Sequence, residues 1–227
     1  MAKGAPQDDF VEFIEGLLAK HGPDSQGAVG WFRGDADARY RVMLELVRPT
    51  TSPVSLLDFG CGLAGLYDYV QRQRLPNIEY TGLDISGKLL TIARQRYPEV
   101  TFHQFDVLDA QAPPLALCDY VVMNGIFTYR GEHSNEEMFT YLRRLVSRVF
   151  ESVRIGLAFN VITPYVDWLR DDLFHLPVDE LLGFLSRQIS RHVVIRHDYG
   201  LYEYTAYVYR DPSDPSQEAT KRLVARP

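Results

Sequence analysis

Phe10, Val11, Phe13, Ile14, Leu17 and Leu18 recur at helical spacing, and Gly22-Pro23 ends the run, which predicts an amphipathic helix. A glycine-rich stretch from 27 to 34 carries Trp31, Phe32 and Arg33. It leads into a second helical pattern with Tyr40, Met43, Leu44 and Val47 on one face. Residues 1–52 therefore read as an N-terminal helical cap. After Pro53 the pattern changes to short apolar runs, at 54–59, 78–83, 100–105, 120–123 and 155–162, alternating with helical patterns at 66–73, 88–96 and 138–150. Ser134 and Glu137 stand at capping-box spacing before the last of these helices. Strands that are apolar throughout and separated by helices predict right-handed crossovers and a parallel sheet covered on both faces. A short helix at 178–185 precedes two strand-like runs, 192–196 and 203–210, and the strict alternation of the second suits an antiparallel strand. The expected fold is α/β: a doubly wound, mostly parallel seven-stranded sheet with an antiparallel C-terminal hairpin. Its domain spans 53–211, and 212–227 reads as a polar tail.

Composition narrows the class. A chain of 227 residues with 46% hydrophobic content can fill one core, which excludes disorder, collagen-like repeats and coiled coil. The first residues contain no apolar signal segment and no run reaches bilayer-spanning length, so a cytoplasmic protein without membrane attachment is expected. Cys61 and Cys118 are too few for a disulfide framework or a tetrahedral zinc site, and no metal is expected. The net charge of −6 repels polyphosphates, which disfavours nucleic acid as a partner.

Candidate chemistry gathers at the ends of successive strands. The first ends in Asp58-Phe59-Gly60-Cys61-Gly62-Leu63-Ala64-Gly65, where glycines permit a sharp turn and close approach of a nucleotide-like ligand. Alone, this spacing fits a plain connection as well. Asp84 closes the second strand, where a carboxylate can accept from a ribose diol, and Asp106 closes the third, where one can accept from an adenine amine. Taken singly, either aspartate reads first as a turn or helix-cap residue. Three such features in order, at the edge where open α/β sheets bind ligands, are harder to explain as turns.

With these motifs the chain resembles the class I S-adenosylmethionine-dependent methyltransferases, over about Pro53 to Arg210. Val54 to Gly62 is similar to the family's first motif, Gly82-Leu83-Asp84-Ile85-Ser86 to its second-strand acidic motif, Phe105-Asp106-Val107 to its adenine-side motif, and Asp119 to Gly125 to its fourth-strand segment. Gly30-Trp31 and Arg196 to Glu203 resemble a bacterial subgroup of small methyltransferases. The resemblance implies a Rossmann-like fold and S-adenosylmethionine as cofactor, released as S-adenosylhomocysteine. It also implies that Gly60 and Gly62 approach the methionine portion, Asp58 its ammonium, Asp84 the ribose, Ile85 the adenine face, and Asp106 with Val107 the adenine edge. Asn124 would lie beside the ammonium, Trp31 would join the cofactor contacts, and Arg39 is a candidate for the methionine carboxylate, although a solvated helix arginine fits that position equally.

Methyl transfer from a sulfonium asks mainly for alignment and exclusion of water. Where the acceptor must lose a proton, Tyr129 and His133 are the candidate catalytic residues, with Tyr165, His197 and Tyr199 behind them. The fourth strand ends in Asn124-Gly125-Ile126-Phe127, not in the proline motif of enzymes that methylate base amines, and no Pro-Cys pair exists for cytosine C5 methylation. A small-molecule acceptor is therefore expected, in a mouth supplied with Trp31, Phe32, Phe127, Tyr129, Tyr165, Trp168, Tyr199 and Tyr202. Two alternatives remain. Gly60, Gly62, Gly65 and Asp84 also satisfy the pattern of an NAD-dependent oxidoreductase, and a non-catalytic subunit that binds S-adenosylmethionine would carry the same residues.

Overall fold

Helix α1 (Pro6–His21) starts on a proline, carries Asp8 and Asp9 in its first turn, and stops at Gly22 with φ 74°. These are the residue types that complement the two ends of a helix. The computed structural model describes residues 4–31, 34–75 and 77–211. A 3₁₀ turn (Gln26–Val29) and α2 (Ala36–Leu44) follow α1. Then come β1 (Val54–Phe59), α3 (Gly65–Arg72), β2 (Ile78–Asp84), α4 (Gly87–Arg96), β3 (Thr101–Gln104), β4 (Cys118–Phe127), α5 (Asn135–Phe150), β5 (Val153–Ile162), α6 (Val178–Phe184), β6 (His192–Arg196) and β7 (Glu203–Tyr209). A π-helical turn, Leu185–Ile189, continues α6. The tail at 212–227, and Phe32, lie outside the described residues.

The seven strands form one sheet in the order β3-β2-β1-β4-β5-β7-β6. Strand β7 is antiparallel to both its neighbours, and the remaining pairs run parallel, as the expected fold class requires. The direction of winding reverses between β1 and β4, and this switch point is where such sheets open a crevice at the strand C-termini.

Side-chain parity decides which helices cover which face. Leu57, Phe59, Val121, Met123, Leu157 and Phe159 pack with Leu142, Leu145, Val146 and Val149 of α5 and Leu181 and Phe184 of α6. Leu56, Tyr120, Val122 and Ala158 pack with Val42 and Met43 of α2, with Leu46, and with Leu66 of α3. Helix α2 is thus a covering layer of the sheet itself. Two sheet tyrosines fix it: Tyr207 Oη donates to Val42 O at 2.7 Å and Tyr209 Oη to Leu46 O at 2.9 Å. Helix α1 instead packs through Ile14, Phe10, Phe13 and Leu17 against Leu63 and Leu89 at the strand ends.

The largest departure from the pattern is β4, which runs on to Phe127 through Asn124-Gly125. Its register against β5 shifts between Met123 and Phe127, and Gly125 takes φ 83°. Asn160 of β5 repairs the ladder with its side chain, Oδ1 accepting from Gly125 N at 2.7 Å. Among the described residues no helix is long and apolar enough to cross a membrane.

Helix α5 begins in a full capping box: Ser134 Oγ accepts from Glu137 N at 3.2 Å, and Glu137 Oε2 accepts from Ser134 N at 2.7 Å. Ser134→Ala leaves the Glu137 amide without its cap, and the expected loss of stability is about 1 kcal/mol. A denaturant titration should show the midpoint falling with an unchanged slope.

Candidate active site

Between Phe59 and α3 the chain turns through Gly60 at φ 75° and Gly62 at φ 54°. Gly60 N and Cys61 N both donate to Leu83 O, at 2.7 and 3.0 Å, which ties the loop to β2. A Cβ on Gly60 would meet Ile126 Cδ1 at 2.9 Å in a backbone conformation that side chains disfavour, so this position requires glycine. Gly65 serves another purpose. A Cβ there would collide with the hydroxyl of Tyr40, which α2 lays against the first turn of α3.

Two carboxylates form the floor. Asp58 is 3% exposed, and its Oδ2 accepts from Tyr80 Oη at 2.7 Å. Burial pushes its pKa up to about 7, the Tyr80 hydrogen bond opposes this, and the neighbouring Asp84 adds to it. Asp84 is also raised, by burial first, against hydrogen bonds from the backbone. Its Oδ2 accepts from Gly62 N and its Oδ1 from Ser86 N, both at 2.8 Å. Each carboxylate oxygen has two lone pairs, so both can accept again. Asp106 accepts from Leu108 N at 2.8 Å and from Gln7 Nε2 at 3.1 Å. Beside them, both amide atoms of Asn124 are buried without a hydrogen-bond partner. A buried polar group left unpaired is costly, so this amide is suited to a polar ligand.

These groups open on a cavity of about 900 Å³. Its lining contains ten Asp or Glu side chains and four Arg, so the six surplus carboxylates equal the net charge of the whole chain. Helix α1 roofs one side. Phe13 stacks on Tyr129 with centroids 3.8 Å apart and planes within 4°. Glu15 accepts from Ser86 Oγ at 2.7 Å and Lys88 Nζ at 2.5 Å, and Asp9 Oδ2 lies 2.8 Å from His133 Nε2.

The cavity wall brings together Trp31, Arg39, Asp58, Gly60, Gly62, Asp84, Ile85, Asp106, Val107, Asn124 and Tyr129. His133 is not among them: it is buried and faces Asp9 of α1. Arg39 is no solvated helix arginine. Its Nε donates to both oxygens of Glu203 at 3.1 Å, a second nitrogen pairs with Asp35, and the guanidinium lies 5.3 Å over the Trp31 ring. Burial raises the pKa of Glu203, and Arg39 opposes that. Of the aromatic candidates, Trp168 and Tyr202 line the cavity. Phe127 is fully buried core, Tyr199 bonds to Thr205, and Tyr165 stands 79% exposed off the wall. His197 faces Tyr204 instead of the cavity.

Sequence reasoning missed Tyr40, Glu203 and His175. Glu203 had a signal, since it shares strand parity with Thr205, Tyr207 and Tyr209, and a carboxylate on such a face needs a partner. His175 lines the cavity with Nδ1 2.9 Å from Thr163 O. No group of three or more metal-ligating side chains exists among the described residues.

Gly65, the third glycine of the dinucleotide pattern, is used here to seat Tyr40 of α2 against α3, so the glycines alone do not call for a dinucleotide. The comparisons agree. Residues 57–152 match the model of a methyltransferase domain. A protein of Mycobacterium tuberculosis named as a methyltransferase, Rv1506c, is 32% identical over 161 residues, covering 69% of this chain and 93% of the relative. Among solved structures, human N-acetylserotonin methyltransferase in complex with S-adenosylmethionine aligns with a TM-score of 0.59 at 12% identity, over 91% of this chain and 56% of that one. Magnesium protoporphyrin IX methyltransferase from Synechocystis, with bound S-adenosylmethionine, gives 0.50 at 15% identity, over 90% and 79%. With its winding order, its glycine turn and a relative matched almost end to end, the chain belongs to the class I S-adenosylmethionine-dependent methyltransferases.

Proposed function

We propose that this methyltransferase holds its cofactor against Asp58, Asp84, Asp106 and Asn124 and passes the methyl group to a small molecule admitted at the outer end of the same cavity. The observation that carries this reading is the floor: two desolvated carboxylates and an unpaired amide, converging in a negatively charged cleft. That donor set fits a ligand with a cationic end and a diol. Asp84 would take the ribose hydroxyls on its remaining lone pairs, and Asp106 with Val107 the adenine edge. Asn124 and Asp58 would face the ammonium, and Arg39, steadied by Glu203, the methionine carboxylate. Ile85 and Trp31 would supply apolar contact, and Gly60 and Gly62 the room.

When bound, the sulfonium supplies an already activated methyl group. The protein then has to align the acceptor and keep water out, and α1 over the cleft serves the second need. Tyr129 has its pKa raised, chiefly by burial and then by Asp172, Asp9, Glu132 and Glu12, so its phenol stays protonated and donates a hydrogen bond in preference to acting as a base. His175 donates from Nδ1 to Thr163 O, which makes Nε2 the acceptor nitrogen, where it takes only a long hydrogen bond from Arg170 N at 3.5 Å. It replaces His133 as our candidate proton acceptor, and His133 is assigned to anchoring α1. The relatives named for N-acetylserotonin and magnesium protoporphyrin IX act on small molecules, in keeping with this reading, and an acidic mouth disfavours nucleic acid. Both cysteines are free and buried, which suits a reducing compartment, and we place the protein in the cytoplasm.

S-adenosylhomocysteine should raise the thermal midpoint and NAD should not, because only a ligand of the native state stabilises it. Asp84→Asn should weaken S-adenosylhomocysteine by about ten- to a hundredfold through lost charge-assisted hydrogen bonds; unchanged affinity in the folded variant would remove Asp84 from the site.

The raised pKa of Asp58 gives a second test. Its folded value of about 7 lies above its ordinary 3.8, so the stability it contributes is complete at low pH and is lost as pH rises through about 7. Asp84 acts with the same sign. Midpoints of the ligand-free protein should therefore fall between about pH 5 and pH 8. The ligand's ammonium favours the ionised carboxylate, so the midpoint gain with S-adenosylhomocysteine should grow over the same range. In Asp58→Asn both slopes should be shallower, and slopes equal to the parent's would discard the assignment.

A further inference from the structure

The outer part of the cavity is formed by the β4–α5 loop with Tyr129, the β5–α6 loop with Trp168, and the β6–β7 loop with Tyr202. The rings of Phe13 and Tyr129, stacked on each other, both border it. Trp168 also lines the cavity, yet 62% of its surface is exposed. An indole left in water beside a cavity is apolar area that a flat ring would cover.

The charges of this part point the same way. Arg170 reaches both oxygens of Asp172, from Nε at 2.9 Å and from a terminal nitrogen at 2.5 Å. Arg39 pairs with Asp35 and Glu203, and what donor capacity it keeps is assigned above to the methionine carboxylate of the cofactor, not to the acceptor. Among the described residues these are the cations of the outer lining, and each already faces at least one carboxylate. Asp167 accepts from the hydroxyl of Tyr202, a neutral donor that leaves its charge in place. An anionic acceptor would thus meet carboxylates and find the guanidinium groups committed.

We propose that this region is an acceptor subsite for a planar aromatic molecule that carries neither carboxylate nor phosphate. The proposal rests on the methyltransferase reading and adds the chemical class of the acceptor. Trp168, Tyr129 and Tyr202 supply ring contact, and Asp167 and Asp172 set the charge preference.

The test is calorimetric titration of the full chain saturated with S-adenosylhomocysteine, using 2-naphthol and its carboxylated analogue 6-hydroxy-2-naphthoate as matched probes. 2-Naphthol should bind saturably and at least about fivefold more tightly than the naphthoate, the least that one like-charge contact at about 4 Å gives in water. Trp168→Ala should weaken 2-naphthol by about fivefold, an aromatic contact's worth, and leave S-adenosylhomocysteine unaffected. Asp172→Asn releases Arg170 and should narrow the gap by improving the naphthoate. Equal or tighter binding of the naphthoate, no saturable binding of 2-naphthol, or a Trp168→Ala variant with unchanged 2-naphthol affinity would each overturn the proposal. Failure to bind S-adenosylhomocysteine at all would instead strike the cofactor reading, and the preceding titration with that compound alone separates the two.

Discussion

Asp58 and Asp84 end neighbouring parallel strands at the centre of the sheet, 3% and 7% exposed. Ionising a carboxylate there works against the loss of water. For Asp58 the rise from 3.8 to about 7 corresponds to an opposing free energy on the order of 4 kcal/mol. Domains of this size are stable by only about 5 to 15 kcal/mol. The cationic end of the proposed ligand, placed above this carboxylate, would offset that cost. The surplus of acidic over basic side chains on the lining spreads the same preference over the whole cavity. The glycine turn, the tyrosine under Asp58 and the roofing helix all follow from having to hold negative charge out of water while keeping one side open.

The roof is held by interactions that are individually weak. Lys88 in its pair with Glu15 is largely exposed, and Asp9 of the His133 pair is partly so. A pair as exposed as Lys88–Glu15 contributes about 0 to 1 kcal/mol. Gln7 of α1 adds a hydrogen bond to Asp106 Oδ2 at 3.1 Å, on the carboxylate proposed above for the adenine edge. The apolar seam through Ile14, Phe10 and Leu17 keeps the helix seated whether or not that hydrogen bond is made. Water exclusion and ligand exchange are both served by attachments of this size.

The alternation of apolar residues carries most of the fold on its face, because buried parallel strands and amphipathic helices differ in period and each has several turns in which to show it. Asn124-Gly125 misled for a local reason. The pair reads as a strand stop, yet β4 continues because Asn160, on the next strand, supplies the missing acceptor. The site splits along the same line. Asp58, Asp84 and Asp106 were legible since each stands at a strand end in register with a motif. The surroundings of Arg39 and His133 were not, since Glu203 lies 164 residues from Arg39 and Asp9 lies 124 residues from His133. No spacing rule reaches so far. His175 sits in an irregular segment that meets β5 at an isolated bridge to Ile162, and periodicity is silent there.

The glycine pattern shows how a motif underdetermines its ligand. Gly60, Gly62 and Gly65 would serve a dinucleotide as well as a sulfonium nucleoside, because what glycine provides is absence of a Cβ, and absence can be filled by anything. At Gly65 it is filled by the protein's own Tyr40, delivered by a helix that precedes the first strand. That phenol lies edge-on to Trp31, which Arg39 in turn overlies. The side chains around the turn thus include ones from outside the motif: Tyr40 and Arg39 of α2, and Glu203 of β7, which holds Arg39. The same turn can be kept through a change of chemistry when the side chains leaning into it change.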